Sequence, residues 1–198
     1  MAELKEKTKR SSVSVVIITR IPCDPEKISD PEKQGDSEKP KVVYKEVAVL
    51  RRRGKYNPSK NWAKKSYPGG CQVAVRGKLC WGESHTDALW RKIEENLGEV
   101  FYNILYRGRE PRLLVSDEAS KKRMYGIYAP LNSIKRIQLE PSSGNLEFVA
   151  KEEVDNILDL TKFDRETGVT DSDVIAMFPN EIEAVRNAFN AFSFLNHR

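Results

Sequence analysis

The stretch from Gly77 to Gly98, GKLCWGESHTDALWRKIEENLG, constrains the fold of this chain more than any other. We call this stretch the box. It begins as a glycine-rich loop and continues with apolar residues at helical spacing, namely Ala88, Leu89, Ile93 and Leu97. Residues three and four apart share one face of a helix, so these four form a single stripe for burial. The box therefore predicts an amphipathic helix over about Thr86 to Leu97, capped by Thr86 or Ser84.

The polar residues of the box follow a second pattern, G-x5-E-x7-R-E-U-x-E-E-x-G-U, in which U is a bulky aliphatic residue. The positions that agree with this pattern are Gly77, Glu83, Arg91, Ile93, Glu95 and Gly98. Lys92 and Asn96 stand in place of two glutamates, and Glu99 replaces the closing aliphatic residue. The box thus resembles the signature of the Nudix hydrolases, which cleave phosphoanhydride bonds in nucleoside diphosphates linked to another group. The alternative is an ordinary amphipathic helix after a glycine-rich loop.

The resemblance implies an α/β fold, a Nudix-type α/β/α sandwich with a mixed sheet, over roughly Val13 to Phe194. The layout around the box agrees with this, since Pro68-Gly69-Gly70 precedes it and a strand with an acidic turn follows at Glu147 to Val154. Strands and helices also mix along the chain without strict βαβ alternation, which favours a mixed sheet.

The resemblance also implies a site at which helix glutamates bind Mg²⁺, a cation that prefers oxygen ligands. Here the three glutamate positions hold Lys92, Glu95 and Asn96, so one carboxylate is left. We expect Mg²⁺ to bind weakly or not at all, with Glu83 and Glu95 as its ligands. Lys92 lies within reach of Glu95 on the helix, and we expect the two to pair as a tethered cation in the volume of a lost metal ion.

Nudix enzymes often take a further catalytic carboxylate from a late loop, for which Glu140 and Glu147 are candidates by resemblance. Glu94 occupies the unspecified position of the pattern, and we expect it to pair with Arg91 on a solvated face. The expected catalytic residues are Glu83, Arg91, Lys92, Glu95, Asn96 and Glu147.

A basic segment runs from Arg51 to Lys78, with nine basic residues and no acidic one. Because it leads into the box and carries aromatic residues, it predicts contacts with phosphate groups and bases. The residues expected to bind the ligand are Arg51, Arg53, Lys55, Gly77 and Lys78. A solvated surface is the alternative. Nucleic acid is another ligand that the same physics allows, although the sequence holds no RNA- or DNA-binding motif.

Exposed charges contribute little to stability. We take the charges of the basic segment to be exposed, so reversal of Arg51, Arg52 and Lys55 to glutamate is expected to weaken ligand binding and leave the melting temperature nearly unchanged.

The organisation predicted for the 198 residues is a disordered lead over 1–11 and one Nudix-like domain over 12–198, with a flexible polar insertion at 23–41. No apolar run approaches the roughly 20 residues of a membrane span, and the charged start lacks the apolar core of a signal peptide. Cys23, Cys71 and Cys80 have no C-x-x-C spacing and fit a reducing compartment. We expect a cytoplasmic protein, with the nucleus as the second choice.

Periodicity predicts the remaining elements. The strands are expected at Ser12–Arg20, Val42–Arg51, Cys71–Val75, Arg112–Ser116, Met124–Leu131, Ile134–Leu139 and Leu146–Ala150. The helices are expected at Glu99–Tyr106, Lys151–Leu160, Ser172–Phe178 and Asn180–Phe194, with Asn180 as the cap of the last one.

Three functions are compatible with these features. The first is a Nudix-fold protein that binds a phosphorylated ligand of nucleoside diphosphate type and hydrolyses it weakly or not at all. The second is an active metal-dependent diphosphate hydrolase that uses Glu83, Glu95 and a late glutamate. The third is a protein-interaction module with the polar insertion as its contact segment. The sequence leaves the oligomeric state open.

Overall fold

The structure is a computed structural model that describes residues 11–23, 43–57, 60–119, 121–139 and 143–193. The expected lead over 1–11 and the expected insertion over 23–41 lie outside the described residues, apart from Ser11 and Cys23. Glu140 also lies outside them.

Within the described residues, seven strands form one mixed sheet. They are β1 (Ser12–Pro22), β2 (Tyr44–Arg53), β5 (Cys71–Val73), β6 (Val75–Lys78), β7 (Arg112–Asp117), β8 (Lys122–Tyr128) and β9 (Ser143–Ala150). The central path is β5-β2-β1-β8-β7, while β6 pairs with β1 and β9 with β2. β1 and β8 are parallel, and the other neighbours are antiparallel. Two short pairs lie outside this sheet, β3 (Tyr56–Asn57) with β4 (Ala63–Lys64) and β10 (Leu158–Asp159) with β11 (Ala176–Met177).

The two central strands separate at one end. β1 and β2 pair directly from Ile17 to Pro22 of β1. Before Ile17, β1 pairs with β6 instead, and the far end of β2 pairs with β5. The β5–β6 segment therefore crosses from one central strand to the other and carries the chain to the box.

Helices cover both faces of the sheet. The helices α1 (His85–Leu97), α2 (Glu99–Tyr106) and α3 (Leu131–Ile134) cover one face, called the box face, where Val15, Ile17 and Val49 are buried. The helix α4 (Pro179–Phe192) and the 3₁₀ helix Lys151–Asn156 cover the other, called the α4 face, where Val16, Ile18 and Leu50 are buried. A second 3₁₀ helix spans Leu160–Lys162. The predicted α/β/α sandwich with a mixed sheet is confirmed.

Because β1 is covered on both sides, it has a continuous buried run of β-branched residues, as its sequence predicts. Among the described residues, no helix combines the length and the apolar composition that crossing a bilayer requires.

Three predicted elements and one predicted cap differ from the structure. The helix predicted at Lys151–Leu160 is a 3₁₀ helix that ends at Asn156, before the strand β10. Instead of a strand at Ile134–Leu139, the chain forms α3 and a turn that packs its apolar residues beneath α1 and α2. The helix predicted at Ser172–Phe178 is replaced by the strand β11, which pairs with β10. Phe178 precedes Pro179, and a residue before proline disfavours the helical conformation. Helix α4 begins at Pro179 with Phe178 as its cap, so Asn180 lies inside the helix.

Candidate functional site

The box folds as a tight loop and the helix α1, which begins at His85, one residue before the predicted start. Ser84 is the cap, since its hydroxyl accepts a hydrogen bond of 3.1 Å from the Asp87 amide and donates one of 2.7 Å to the Asp87 carboxylate. All four apolar residues of the predicted stripe are fully buried on the box face of the sheet. The loop residues are thereby held at the end of strand β6.

Glu83 is clamped by the helix that follows it. The Arg91 Nε and Nη2 groups donate to its two oxygens at 2.7 and 2.6 Å, and the Cys80 amide donates to Oε2 at 2.7 Å. These hydrogen bonds, that of Arg91 first, lower the pKa of Glu83 to about 2. Arg91 also donates to the carbonyl of Lys78 at 3.2 Å, so the clamp joins α1, the loop and the end of β6.

Glu95 accepts from two cations on its own helix. Arg91 Nη1 donates to Oε1 at 2.7 Å, and Lys92 Nζ donates to Oε2. Burial raises the pKa of Glu95, but the hydrogen bonds from Lys92 and Arg91 outweigh this effect and lower it overall. The predicted Lys92–Glu95 pair is confirmed. The carboxylates that pair with Arg91 are Glu83 and Glu95, while Glu94 is exposed.

Lys92 crosses β6 at Gly77. A Cβ atom at Gly77 would lie 2.2 Å from Lys92 Cδ and 2.4 Å from Cε, which is far inside van der Waals contact. The glycine at this position therefore leaves room for the lysine stem. Lys92 is 19% exposed, and its ammonium group reaches Glu95 from this packed position.

Asn96 and Glu147 lie apart from this network. Asn96 is 4% exposed within the helix. Glu147 stands opposite Leu50 in the sheet, so it projects from the α4 face, where Arg52 Nε donates to it at 2.6 Å. The structure brings Glu83, Arg91, Lys92 and Glu95 together, and it places Glu147 on the other face of the sheet.

The arginines at the start of the basic segment are integrated into the fold. Arg51 is 5% exposed. Arg53 donates to the Ser66 carbonyl at 2.9 and 3.1 Å and to the Gln72 side chain at 3.2 Å. Lys55 is exposed beside the ring of Tyr56.

The assumption that Arg51 and Arg52 are exposed is therefore wrong, because Arg51 is buried and the Arg52 side chain is only 13% exposed. β2 carries both arginines into the protein, where three backbone carbonyls and the Glu147 side chain accept the hydrogen bonds of Arg52.

Two charged residues that the sequence analysis did not single out lie next to Arg76. Glu181, in the first turn of α4, is fully buried, and its Oε1 lies 3.3 Å from Arg76 Nη1. Burial raises the pKa of Glu181, while Arg76 and then Lys122 act in the opposite direction. Lys122 begins β8 and has a lowered pKa because of burial and of the nearby Arg76. No local sequence pattern distinguishes Lys122. Glu181 could have been found from the sequence, because a glutamate in the apolar stripe of the last helix indicates a buried charge.

Comparison with solved structures identifies this architecture. The chain is similar over 94% of its length to 96% of a mutT/nudix family protein from Listeria innocua, with 12% sequence identity and a TM-score of 0.51. This chain has the Nudix fold. It is also similar over 96% of its length to 90% of a protein from Deinococcus radiodurans, with 14% identity and a TM-score of 0.51. At these identities the likeness establishes the fold alone. No sequence profile of a protein family matches the chain, and no curated protein sequence matches it.

In this Nudix-fold chain the box side chains form an ion-pair network in which Arg91 and Lys92 alternate with Glu83 and Glu95. Among the described residues, no group of three or more His, Cys, Asp or Glu side chains is placed to hold a metal ion.

Proposed function

We propose that this Nudix-fold protein binds a phosphorylated ligand of nucleoside diphosphate type and hydrolyses it weakly or not at all. The observation that carries this proposal is the position of Lys92. Its ammonium group is held against Glu95, the one carboxylate left at the three glutamate positions of the helix. The site therefore has a cation where the Nudix signature has an acid.

The charges of the network argue against efficient metal-dependent hydrolysis. Both oxygens of Glu83 and both oxygens of Glu95 already accept hydrogen bonds from Arg91, Lys92 or the Cys80 amide. Mg²⁺ would have to displace these donors and approach two side-chain cations that repel it. The residues present do not fit a Mg²⁺ site.

Lys92 retains one property that a phosphate ligand needs. An ammonium group binds phosphate as a point charge, without lowering the pKa of a bound water molecule as a metal ion does. Glu95 and the packing on Gly77 restrict the lysine to one position. This arrangement supports ligand binding without an activated nucleophile.

The experiment compares Lys92→Glu with Lys92→Met, using Glu94→Gln as a control at the exposed neighbouring position. Lys92→Glu replaces attraction to Glu95 by repulsion, so we expect a loss of roughly 0.3–1 kcal/mol without metal. Mg²⁺ is expected to recover that loss and to raise the melting temperature further, through mass action on the folded state. The unmodified chain, Lys92→Met and Glu94→Gln are expected to show no Mg²⁺ shift. Asn96 stays unchanged, because a glutamate at this buried position would bury an uncompensated charge.

The second arm measures binding and hydrolysis of nucleoside diphosphates linked to a sugar, a nucleoside or a second nucleotide. We expect the unmodified chain to bind at least one of them and to show turnover far below ordinary enzyme rates of about 1–10³ s⁻¹. Lys92→Met is expected to weaken that binding. Turnover of the unmodified chain at ordinary rates with Mg²⁺ would refute the proposal and favour the active hydrolase.

A further inference from the structure

A polar cleft of about 320 Å³ opens where β1, β6 and β8 begin or end. Its polar lining consists of Ser12, Ser14, Arg76, Lys78 and Lys122. Gly77 also lines it, and Lys92 crosses this glycine on the opposite, box face of the sheet.

Strand register explains why these residues share one cleft. Ser12 of β1 stands opposite Lys78 of β6 on one side and opposite Lys122 of β8 on the other. Two residues further along β1, and therefore on the same face, Ser14 stands opposite Arg76 of β6. Directly opposed residues of neighbouring strands project to the same face of a sheet. Neighbouring strands lie about 4.8 Å apart, so the two lysines start roughly 10 Å apart with a small serine between them. This row leaves space for an anion between two ammonium groups.

The cleft carries an excess of positive charge. Arg76 pairs with the buried Glu181, but among the described residues neither Lys78 nor Lys122 forms an ion pair with a carboxylate. Asp117 of β7 stands opposite Lys122 on its other side, so the three cations face two carboxylates and an excess of one positive charge remains. Like charges placed side by side on one face destabilise a sheet, and an anion between them would relieve the repulsion.

We propose that this cleft binds the phosphate or diphosphate group of the ligand, with Lys78 and Lys122 on either side of it and Arg76 positioned by Glu181. The inference rests on the proposed function for the identity of the ligand. The cleft presents two ammonium groups and one guanidinium group, and a diphosphate supplies several acceptor oxygens for them. The seat lies on the α4 face of the sheet, whereas Lys92 crosses Gly77 on the box face, so the seat is a phosphate site separate from the Lys92–Glu95 pair.

The probe is inorganic pyrophosphate, with binding measured by isothermal titration calorimetry at low ionic strength. Lys78→Met and Lys122→Met each remove one ammonium group and keep most of the stem. We expect each to weaken binding about tenfold to a hundredfold, the range for loss of a charge-assisted hydrogen bond. Lys121→Met is the matched control, since it removes the same charge from an exposed neighbour that does not line this cleft. We expect it to change binding by at most a few fold.

Folding is checked for each variant by its melting temperature. Lys78 is exposed, so Lys78→Met keeps the test decisive even if Lys122→Met unfolds. Raising the ionic strength to about 0.15 M, where the Debye length is about 8 Å, is expected to weaken pyrophosphate binding to the unmodified chain.

The outcomes separate this inference from the proposed function. If nucleoside diphosphate derivatives bind and Lys78→Met leaves their affinity unchanged, the cleft assignment is wrong and the proposed function stands. If pyrophosphate binding depends on Lys78 and Lys122 while no nucleoside derivative binds, the cleft assignment stands and the proposed ligand class is wrong. Absence of pyrophosphate binding to the unmodified chain overturns the cleft assignment in either case.

Discussion

Replacement of Arg52 by methionine tests how the basic segment is used. Arg52 joins three parts of the chain: its Nε donates to Glu147 at 2.6 Å, and its Nη1 donates to the carbonyls of Gly69 and Val174 at 3.0 and 3.1 Å. Its Nη2 donates to the carbonyl of Ser172. The guanidinium group therefore ties β2 and β9 to the loop before β5 and to the loop before β11.

The expected loss of stability follows from these contacts. Each hydrogen bond to a carbonyl contributes about 0.5–1.5 kcal/mol, and the carbonyls lose their donors when the guanidinium group is removed. The pair with Glu147 adds little, since that side chain is 28% exposed and solvent screens it. We expect Arg52→Met to lower the free energy of unfolding by roughly 2–4 kcal/mol, which is about 4–16 °C in melting temperature for a domain of this size.

Urea and thermal unfolding, followed by circular dichroism, measure this effect. Lys55→Met is the matched control, because it removes the same charge from an exposed position of the same segment. Arg52→Lys is expected to fall between the two, since an ammonium group keeps the charge and loses the planar fork. A melting temperature of Arg52→Met equal to that of Lys55→Met would refute the argument and restore the exposed basic surface.

Three further predictions concern the site and its surroundings. Arg91→Gln is expected to raise the pKa of Glu83 from about 2 toward its ordinary value of 4.5, as a carboxyl NMR titration would show. The stability that Glu83 contributes is present above its unfolded pKa of about 4.3 and is lost as the pH falls toward its folded pKa. Arg91→Gln is therefore expected to make the free energy of unfolding depend less steeply on pH in the acid range. Gly77→Ala is expected to displace Lys92 from β6 and thereby to raise the pKa of its partner, Glu95. A Glu95 pKa that stays unchanged in this variant would contradict the packing of Lys92 on Gly77. Because burial raises the pKa of Glu181, the protonated carboxyl favours the folded state, and the free energy of unfolding falls as the pH rises above the unfolded pKa of about 4.3. Glu181→Gln is therefore expected to gain stability relative to the unmodified chain as the pH rises above that value, and a constant difference would contradict this.

Local spacing was enough to predict the box. The stripe of α1 is buried as predicted, and α2 forms over Glu99–Tyr106 as predicted, because helical periodicity depends only on neighbours along the chain. The Lys92–Glu95 pair could be predicted for the same reason, since three residues on a helix bring two side chains together. The Nudix fold was predictable because the pattern of the box is specific, even though two of its glutamates are replaced.

Contacts between distant segments decided what the sequence could not show. A run of three arginines looks like a solvated surface, yet β2 carries Arg51 into the interior and gives Arg52 partners more than 90 residues away. Helical spacing suggested Glu94 as the partner of Arg91, but its partners are Glu95 and Glu83, and only the loop geometry brought Glu83 to it.

The polar cleft shows the same division. Lys78 belongs to the basic segment, but Lys122 lies on a later strand, and only the register of β1 against both β6 and β8 places the two lysines on either side of Ser12. Residue spacing along one chain segment determines which face of a helix or strand a side chain takes. Which faces meet depends on how separate strands pair, and that pairing is set by burial of the whole sheet between its helices.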